Sequence, residues 1–172
     1  MISWLGGNLV VGLLALAMLA VVIYRLVKHP ELLAAEKELA WDYASRPAAT
    51  GNAELTTLFG AEALAAAGET AQQARLALVN KGREPVTAAD FRGPLRLVLP
   101  AGSRAVAVTP AGRDAAASEN SVSLQPCPIA ARDARVFDIL ICGAAAPVRL
   151  DGGLKDTPVL RQLRGRARYF TD

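Results

Sequence analysis

The chain of 172 residues is 52% hydrophobic and 20% charged, and its formal net charge is +3. One histidine and two cysteines are too few for a disulfide framework or a zinc site of the usual spacing. A net charge this small argues against a nucleic-acid partner.

The first element is an uncharged apolar run from Leu5 to Tyr24, in which Asn8 is the one strongly polar side chain. As a helix, the run spans about 30 Å, the thickness of the hydrocarbon core of a bilayer. Basic residues follow it, at Arg25 and Lys28, and none precedes it as in a cleaved signal peptide. We therefore predict a membrane anchor over residues 1–29 that contains this run as a transmembrane helix.

The basic residues also predict the orientation of the chain. Lys and Arg beside a membrane segment tend to remain cytoplasmic, and here Arg25, Lys28 and Lys37 all follow the apolar run. The domain after the helix is therefore predicted to face the cytoplasm. Two cysteines without a disulfide pattern, Cys127 and Cys142, agree with a reducing compartment.

A juxtamembrane segment is predicted at residues 30–37. The stretch from Glu31 to Ala40 is rich in helix formers, which favours either a short helix or a lead into a strand. Leu39, Trp41 and Tyr43 alternate with small or polar residues, which is the two-residue period of a strand.

The next two segments have ambiguous patterns. Glu54 to Phe59 contains threonines and favours a second strand. Ala61 to Ala67 is almost all alanine, so propensity favours a helix, whereas its surroundings favour a strand and a loop. The sequence leaves the structure of this second segment undecided.

From residue 73 onward, apolar residues alternate with polar or small ones in short runs separated by turn residues. The sets expected on inward faces are Leu76 and Leu78; Leu95, Leu97 and Leu99; Val106 and Val108; Val122 and Leu124; Phe137, Ile139 and Ile141; and Leu163, Gly165, Ala167 and Tyr169. Residues 111–120 are predicted to form a loop. The pattern indicates a mainly β domain over residues 38–172, an antiparallel sandwich or barrel.

Four runs of the chain carry a recognisable pattern: Asn80-Lys81-Gly82-Arg83-Glu84-Pro85-Val86, Asp90-Phe91, Pro94-Leu95 and the first-strand run Glu38-Leu39-Ala40-Trp41-Asp42. They resemble the matching runs of an uncharacterised group of small bacterial membrane-anchored proteins. In a later run, Pro126 and Asp133 match the group, whereas Ala130 and Arg132 replace its Asn and Gly. The resemblance implies an N-terminal anchor in the bacterial inner membrane and an Ig-like β-sandwich. It brings no known activity or functional residue.

Two of the matching residues are predicted to have structural roles. Gly82, which follows Asn80 by two positions, is expected to provide a positive φ in a connection between strands. Asp90 is expected to cap a turn through hydrogen bonds from backbone N–H groups to its carboxylate. A catalytic role for Asp90 would require a partner that the sequence does not reveal.

No set of residues suits catalysis, and we predict that the protein is not an enzyme and has no catalytic, cofactor or metal site. The one histidine, His29, lies beside the predicted helix, so no Ser or Cys of the domain has a histidine base. Gly6 and Gly7 lie in the anchor and do not form a phosphate-binding loop. Asp138 alternates with apolar residues and is interpreted as a solvated position on a strand.

The candidate contact residues are three arginines near the C-terminus: Arg164, Arg166 and Arg168. On a strand from Leu163 to Tyr169 they share one face, opposite the residues expected in the core. The functional interpretation is contact with anionic lipid headgroups or with an acidic partner. The alternative is an ordinary polar outer face.

The sequence therefore predicts a single-pass membrane protein whose partners are the lipid bilayer and an unidentified protein, with no small-molecule substrate evident. The domain would act as an interaction module at the cytoplasmic face. The alternative is a small accessory subunit of a larger membrane complex, with the helix as its interface. Small or polar residues recur at four-residue spacing in the helix, at Ser3 and Gly7 and at Asn8 and Gly12, as they do in packed membrane helices.

Overall fold

The computed structural model describes residue 12 and residues 15–25, 36–49, 52–110, 114–157 and 160–163. The chain separates into two compact units, Met1–Ala35 and Glu36–Asp172. Residues 15–25 of the first unit are helical, and they are called the N-terminal helix below. Within the described ranges, no helix has both the length and the apolar character needed to cross a membrane.

The second unit is built from two sheets. In the described residues its strands are β1 (Leu39–Pro47), β2 (Ala71–Asn80), β3 (Leu95–Val98), β4 (Arg104–Thr109), β5 (Ala115–Ser118), β6 (Ser121–Leu124), β7 (Ala134–Cys142), β8 (Arg149–Asp151) and β9 (Arg161–Gln162). The larger sheet has the order β4-β7-β2-β1-β9, and the smaller has the order β5-β6-β3-β8. Paired strands are antiparallel except β1 and β9, which are parallel. The predicted mainly β, largely antiparallel architecture is confirmed.

One hydrophobic cluster joins the inward faces of the two sheets. It contains Leu76 and Phe137 from the larger sheet and Leu97 and Val122 from the smaller one, and all four are fully buried. Alternation along each strand selects these residues, because successive side chains point to opposite faces. Burial of each large side chain stabilises the fold by about 1.5–3 kcal/mol.

Two short helices connect β1 to β2, and the strand predicted at Glu54–Phe59 is wrong. They are α1 (Ala53–Phe59) and α2 (Ala61–Ala67). The side-chain oxygen of Asn52 accepts a hydrogen bond from the Glu54 N–H at 2.9 Å, which satisfies a free donor at the start of α1. Gly60 and Gly68 have φ angles of 85° and 67°, and they end the two helices in a backbone region that favours glycine.

The helices cover a second, smaller apolar cluster on the outer face of the larger sheet. It joins Ala67 of α2, Ala71 of β2 and Leu140 of β7, with Phe59 and Leu64 packed against them. Helices of seven residues have little stability by themselves, so this packing decides their structure. The alanine run is therefore helical because it has a sheet face to cover.

Two further segments differ from prediction. Strand β5 lies within residues 111–120, which were predicted to be a loop, because a strand of three alanines and a serine shows no hydrophobic period. In β4, an irregularity between Ala105 and Ala107 shifts the register. Val108 therefore lies in the main core, whereas Val106 packs against the second cluster, and the two do not share a face as predicted.

Candidate functional site

The arginine row predicted for membrane contact, Arg164, Arg166 and Arg168, lies outside the described residues. The strand that leads to it is described as far as Leu163, whose N–H donates to the Trp41 carbonyl at 2.7 Å. Gln162 is in register with Trp41, a core residue, and Leu160 is also in the core. Leu163 itself lies just beyond β9 and is half-buried, and its predicted place on the core face stays a prediction.

The turn that follows β2 is organised around the buried amide of Asn80. Its Nδ2 donates to the carbonyls of Glu84, Ala130 and Ile129, at 2.8, 3.1 and 3.2 Å. Its Oδ1 accepts from the Gly82 N–H at 2.9 Å. The side chain is fully buried, so these bonds replace its contacts with water and fix the turn against the loop before β7.

The chain enters the β unit along this turn. Residues 36–38, here called the entry segment, lie just before β1. The Lys81 N–H donates to the Glu38 carbonyl at 2.7 Å, and the Glu84 N–H donates to the Glu36 carbonyl at 2.8 Å. The entry segment is therefore hydrogen-bonded to the turn and belongs to the folded unit.

Gly82 is required by this close approach and not by its backbone conformation. A side chain at this position would begin 2.6–2.8 Å from three backbone atoms of the entry segment. Gly82 is not among the glycines of positive φ in the described residues, so the predicted positive φ is wrong. The turn residue marks the site where one backbone packs directly on another.

Asp90 caps a turn, as predicted, and it also has a charged partner. Its Oδ2 accepts hydrogen bonds from the Thr87 N–H at 2.7 Å and from the Thr87 hydroxyl at 2.8 Å. Its Oδ1 accepts from the Lys37 ammonium at 2.7 Å. The Lys37 hydrogen bond, with those from Thr87, lowers the pKa of Asp90 to about 2. The same pair raises the pKa of Lys37.

A polar cleft of about 420 Å³ lies beside this ion pair. Its walls include Glu36, Lys37, Glu84 and Asp156. Because Lys37 is bound to Asp90, the cleft presents mainly carboxylates. Among the residues described by the structure, no group of three or more His, Cys, Asp or Glu side chains is placed to hold a metal ion.

The outer face of the larger sheet carries a paired polar row. Arg75 of β2 and Asp138 of β7 are opposite each other, and they form hydrogen bonds of 2.8 and 3.3 Å. The Asp138 side chain is only 14% exposed, so its interpretation as a solvated position is wrong. Arg46 donates to the buried Gln73 side chain at 2.9 Å. These pairs stabilise the sheet and leave no catalytic arrangement among them.

An apolar cleft of about 350 Å³ opens between α2 and the adjacent ends of β1 and β2. The residues that line it are Ala48, Ala49, Leu64, Ala65, Gly68, Glu69 and Ala71. Glu69 is the one charged residue among them. No hydrophobic pattern predicts this cleft, because alanine and glycine carry no hydrophobic period. The pair of glycines that bounds α2 is the signal that could have located it.

The two thiols are free. Cys127 is buried, and burial raises the pKa of its thiol. Cys142 is half-buried, with its sulfur 3.6 Å from the Thr70 hydroxyl. Of the two, Cys142 is the one that a reagent in solution can reach in the folded unit.

Neither a protein-family profile nor a curated protein sequence matches the chain. A solved structure titled "the unique CBM3- of Hungateiclostridium clariflavum" is similar over 73% of this chain and 97% of that one, with 10% identity and a TM-score of 0.40. A GH20 exo-β-N-acetylglucosaminidase from Vibrio harveyi, solved with N-acetylglucosamine, is similar over 75% of this chain and 18% of that one, with 9% identity and a TM-score of 0.33. Both TM-scores are low, so neither likeness carries an argument about function.

Proposed function

We propose that the protein is a single-pass protein of the bacterial inner membrane whose N-terminal helix anchors an Ig-like β-sandwich, and that this domain binds a partner protein at the cytoplasmic face. The observation that carries the proposal is the exposure of the N-terminal helix. The large apolar side chains from Leu16 to Tyr24 are 51–74% exposed. Among the described residues, all the exposed large apolar side chains belong to this helix.

A bilayer is the environment that suits such a helix. Apolar residues follow one another from Leu16 to Ile23, so they surround the helix and do not form a single stripe. Each large apolar side chain gains about 1.5–3 kcal/mol on leaving water. The apolar run continues towards the N-terminus as far as Leu5, which supplies the length of a membrane span.

The flanking charges support a cytoplasmic domain. Arg25 and Lys28 follow the apolar run, and basic residues beside a membrane segment tend to remain cytoplasmic. Two free thiols, Cys127 and Cys142, suit a reducing compartment. We also propose that Arg164, Arg166 and Arg168 contact anionic lipid or an acidic partner. At an anionic membrane surface, each of these arginines would contribute about 1 kcal/mol to binding.

A second candidate is an accessory subunit whose helix packs inside a larger membrane complex. The feature that favours it is the spacing of small or polar residues in the predicted anchor, where Ser3 and Gly7, and likewise Asn8 and Gly12, are four positions apart. A partner helix is able to approach closely at such residues. Gly12→Leu in the full-length protein should release a co-purifying membrane complex under this candidate, and it should leave the anchored module unaffected.

Topology labelling of the full-length protein tests the proposal. The protein should stay in carbonate-washed membranes of the expressing bacteria. In spheroplasts, a membrane-impermeant maleimide should leave Cys142 unmodified, and it should react after the membrane is permeabilised. Release by carbonate would contradict the anchor. Reaction in intact spheroplasts would contradict the cytoplasmic orientation and leave the anchor standing.

A further inference from the structure

The apolar cleft beside α2 is a feature of the β unit that membrane anchoring does not explain. Of the described residues that line it, Leu64 has the one large side chain, and most of the others are alanine or glycine. The space remains open because none of these side chains is large enough to fill it. A group that binds there must therefore bring its own large apolar side chain.

The cleft lies at the far end of β1 from the entry segment. This strand begins at Leu39, next to the entry segment, and ends at Pro47, next to the cleft residue Ala48. The eight steps between the nine extended residues, at about 3.3 Å each, separate the two ends by about 26 Å. The cleft and the entry segment are therefore separate features of the β unit.

The charge around the cleft indicates the second property of the partner. Among the described residues, Glu69 is the one charged residue in the lining, and the last turn of α2 carries no basic residue. The carbonyl end of a helix adds partial negative charge, although Arg104 donates to the Ala66 carbonyl there at 3.1 Å. Arg46, near the end of β1, is bound to Gln73 and does not line the cleft.

We infer that the cleft is the docking site for a large aliphatic side chain of a partner protein, with a neighbouring Lys or Arg that pairs with Glu69. The inference rests on the proposed function, because it names the site and the partner chemistry of the same interaction module. The aliphatic group supplies the binding energy by burial against alanine methyl groups and Leu64. The basic residue selects the orientation, since an exposed ion pair adds little affinity.

The test uses full-length protein in phosphatidylcholine nanodiscs, with empty nanodiscs as the blank. The probe is a hexapeptide of Gly, Leu, Leu, Lys, Lys and Gly, titrated while the alanine methyl resonances are followed by NMR. Resonances of Ala48, Ala49, Ala65 and Ala71 should shift in a saturable way. Peptides with Ser in place of Leu should not bind, and peptides with Glu in place of Lys should bind more weakly.

Matched variants distinguish binding in the cleft from nonspecific binding of the peptide. Ala65→Leu fills the cleft and should weaken binding about tenfold or more, whereas Ala66→Leu adds the same side chain to an exposed position of α2 outside the lining and should not. Glu69→Gln should weaken binding about two- to fivefold, and Glu62→Gln on the same helix should not.

Equal binding by the two leucine variants would overturn the inference, and so would saturating shifts confined to other alanines. Thermal unfolding of Ala65→Leu and Ala66→Leu shows whether both remain folded. Because binding is measured on protein already in a bilayer, a negative result here contradicts the cleft alone. Failure of the proposed function is seen separately, in carbonate extraction and thiol labelling.

Discussion

The N-terminal helix and the β unit use apolar residues in opposite ways. In the β unit, Leu97 and Phe137 are fully buried, and their neighbours along each strand face outward. In the helix, Leu16 and Leu19 are 66% and 56% exposed, and their neighbours are also exposed. One region forms its own core, whereas the described part of the other leaves its apolar side chains exposed.

This difference also predicts different effects for substitutions in the two regions. A side chain in the core of the β unit contributes to folding, because its removal leaves a cavity. A side chain on the proposed anchor helix would contribute to transfer into a bilayer, so its removal should leave the β unit intact. The predictions below are arranged from the largest expected effect to the smallest.

The largest effect is expected for Phe137→Ala. This side chain is fully buried in the main cluster, so its loss should lower the free energy of unfolding by about 3–5 kcal/mol. Leu19→Ala in the N-terminal helix is the matched control, and it should not change the unfolding of the β unit. Urea unfolding of the full-length protein in nanodiscs, followed by circular dichroism in the β region, measures both. A comparable loss in Leu19→Ala would show that the helix is part of the same core.

Asn80→Asp should cost about 3 kcal/mol. The substitution keeps the shape but places a carboxylate oxygen where Nδ2 now donates to three carbonyls. Asn120→Asp, on an exposed turn, should cost less than about 0.5 kcal/mol. Denaturant titration of the two variants gives the comparison, and similar midpoints would mean that the Asn80 network does not hold the turn.

Gly82→Ala tests whether the entry segment belongs to the β unit. The new methyl group would lie 2.6–2.8 Å from backbone atoms of the entry segment, so the variant should lose about 1–3 kcal/mol. Gly93→Ala is the control, since nothing lies within 4 Å of its added methyl group. The Lys81 and Glu84 N–H groups donate to the entry segment, so their amide hydrogen exchange should accelerate in the first variant and stay unchanged in the second. Unchanged exchange in both variants would show that the entry segment is not part of the β unit.

The smallest effect concerns the Lys37–Asp90 ion pair. The pKa of Asp90 is lowered from 3.8 to about 2, so its charge stabilises the folded state above about pH 4 and ceases to do so as the pH falls towards 2. Asp90→Asn should therefore melt below wild type at pH 6, and the two melting temperatures should converge near pH 2. A gap that persists at low pH would assign the role of Asp90 to something other than its charge.

Strands with bulky alternating residues could be predicted from the sequence. Leu95 and Leu97 of β3 and Val122 and Leu124 of β6 follow a two-residue period that the fold reproduces. Alanine-rich segments could not be assigned, because β5 and α2 have nearly the same composition and differ only in what they pack against.

The positions of the turn residues could be predicted from the sequence, but their structural roles could be predicted only in part. Asn80, Gly82 and Asp90 stand out in the sequence, and the capping role of Asp90 is confirmed. The reason for Gly82 depends on a segment more than 40 residues away in the chain, so local turn preference could not supply it. The polar cleft combines residues from distant segments, Glu36 with Glu84 and Asp156, and it leaves no pattern in the sequence.

Spin-label accessibility along the N-terminal helix tests the central claim most directly. Single labels at residues 18–22 of the full-length protein in nanodiscs, with Cys127 and Cys142 replaced by serine, report collisions with oxygen and with a water-soluble nickel complex. Lipid on all sides of the helix predicts that all five labels collide with oxygen and are shielded from nickel. A period of 3.6 residues, in which some labels meet nickel freely, would show that the helix lies on a surface and would contradict the membrane anchor.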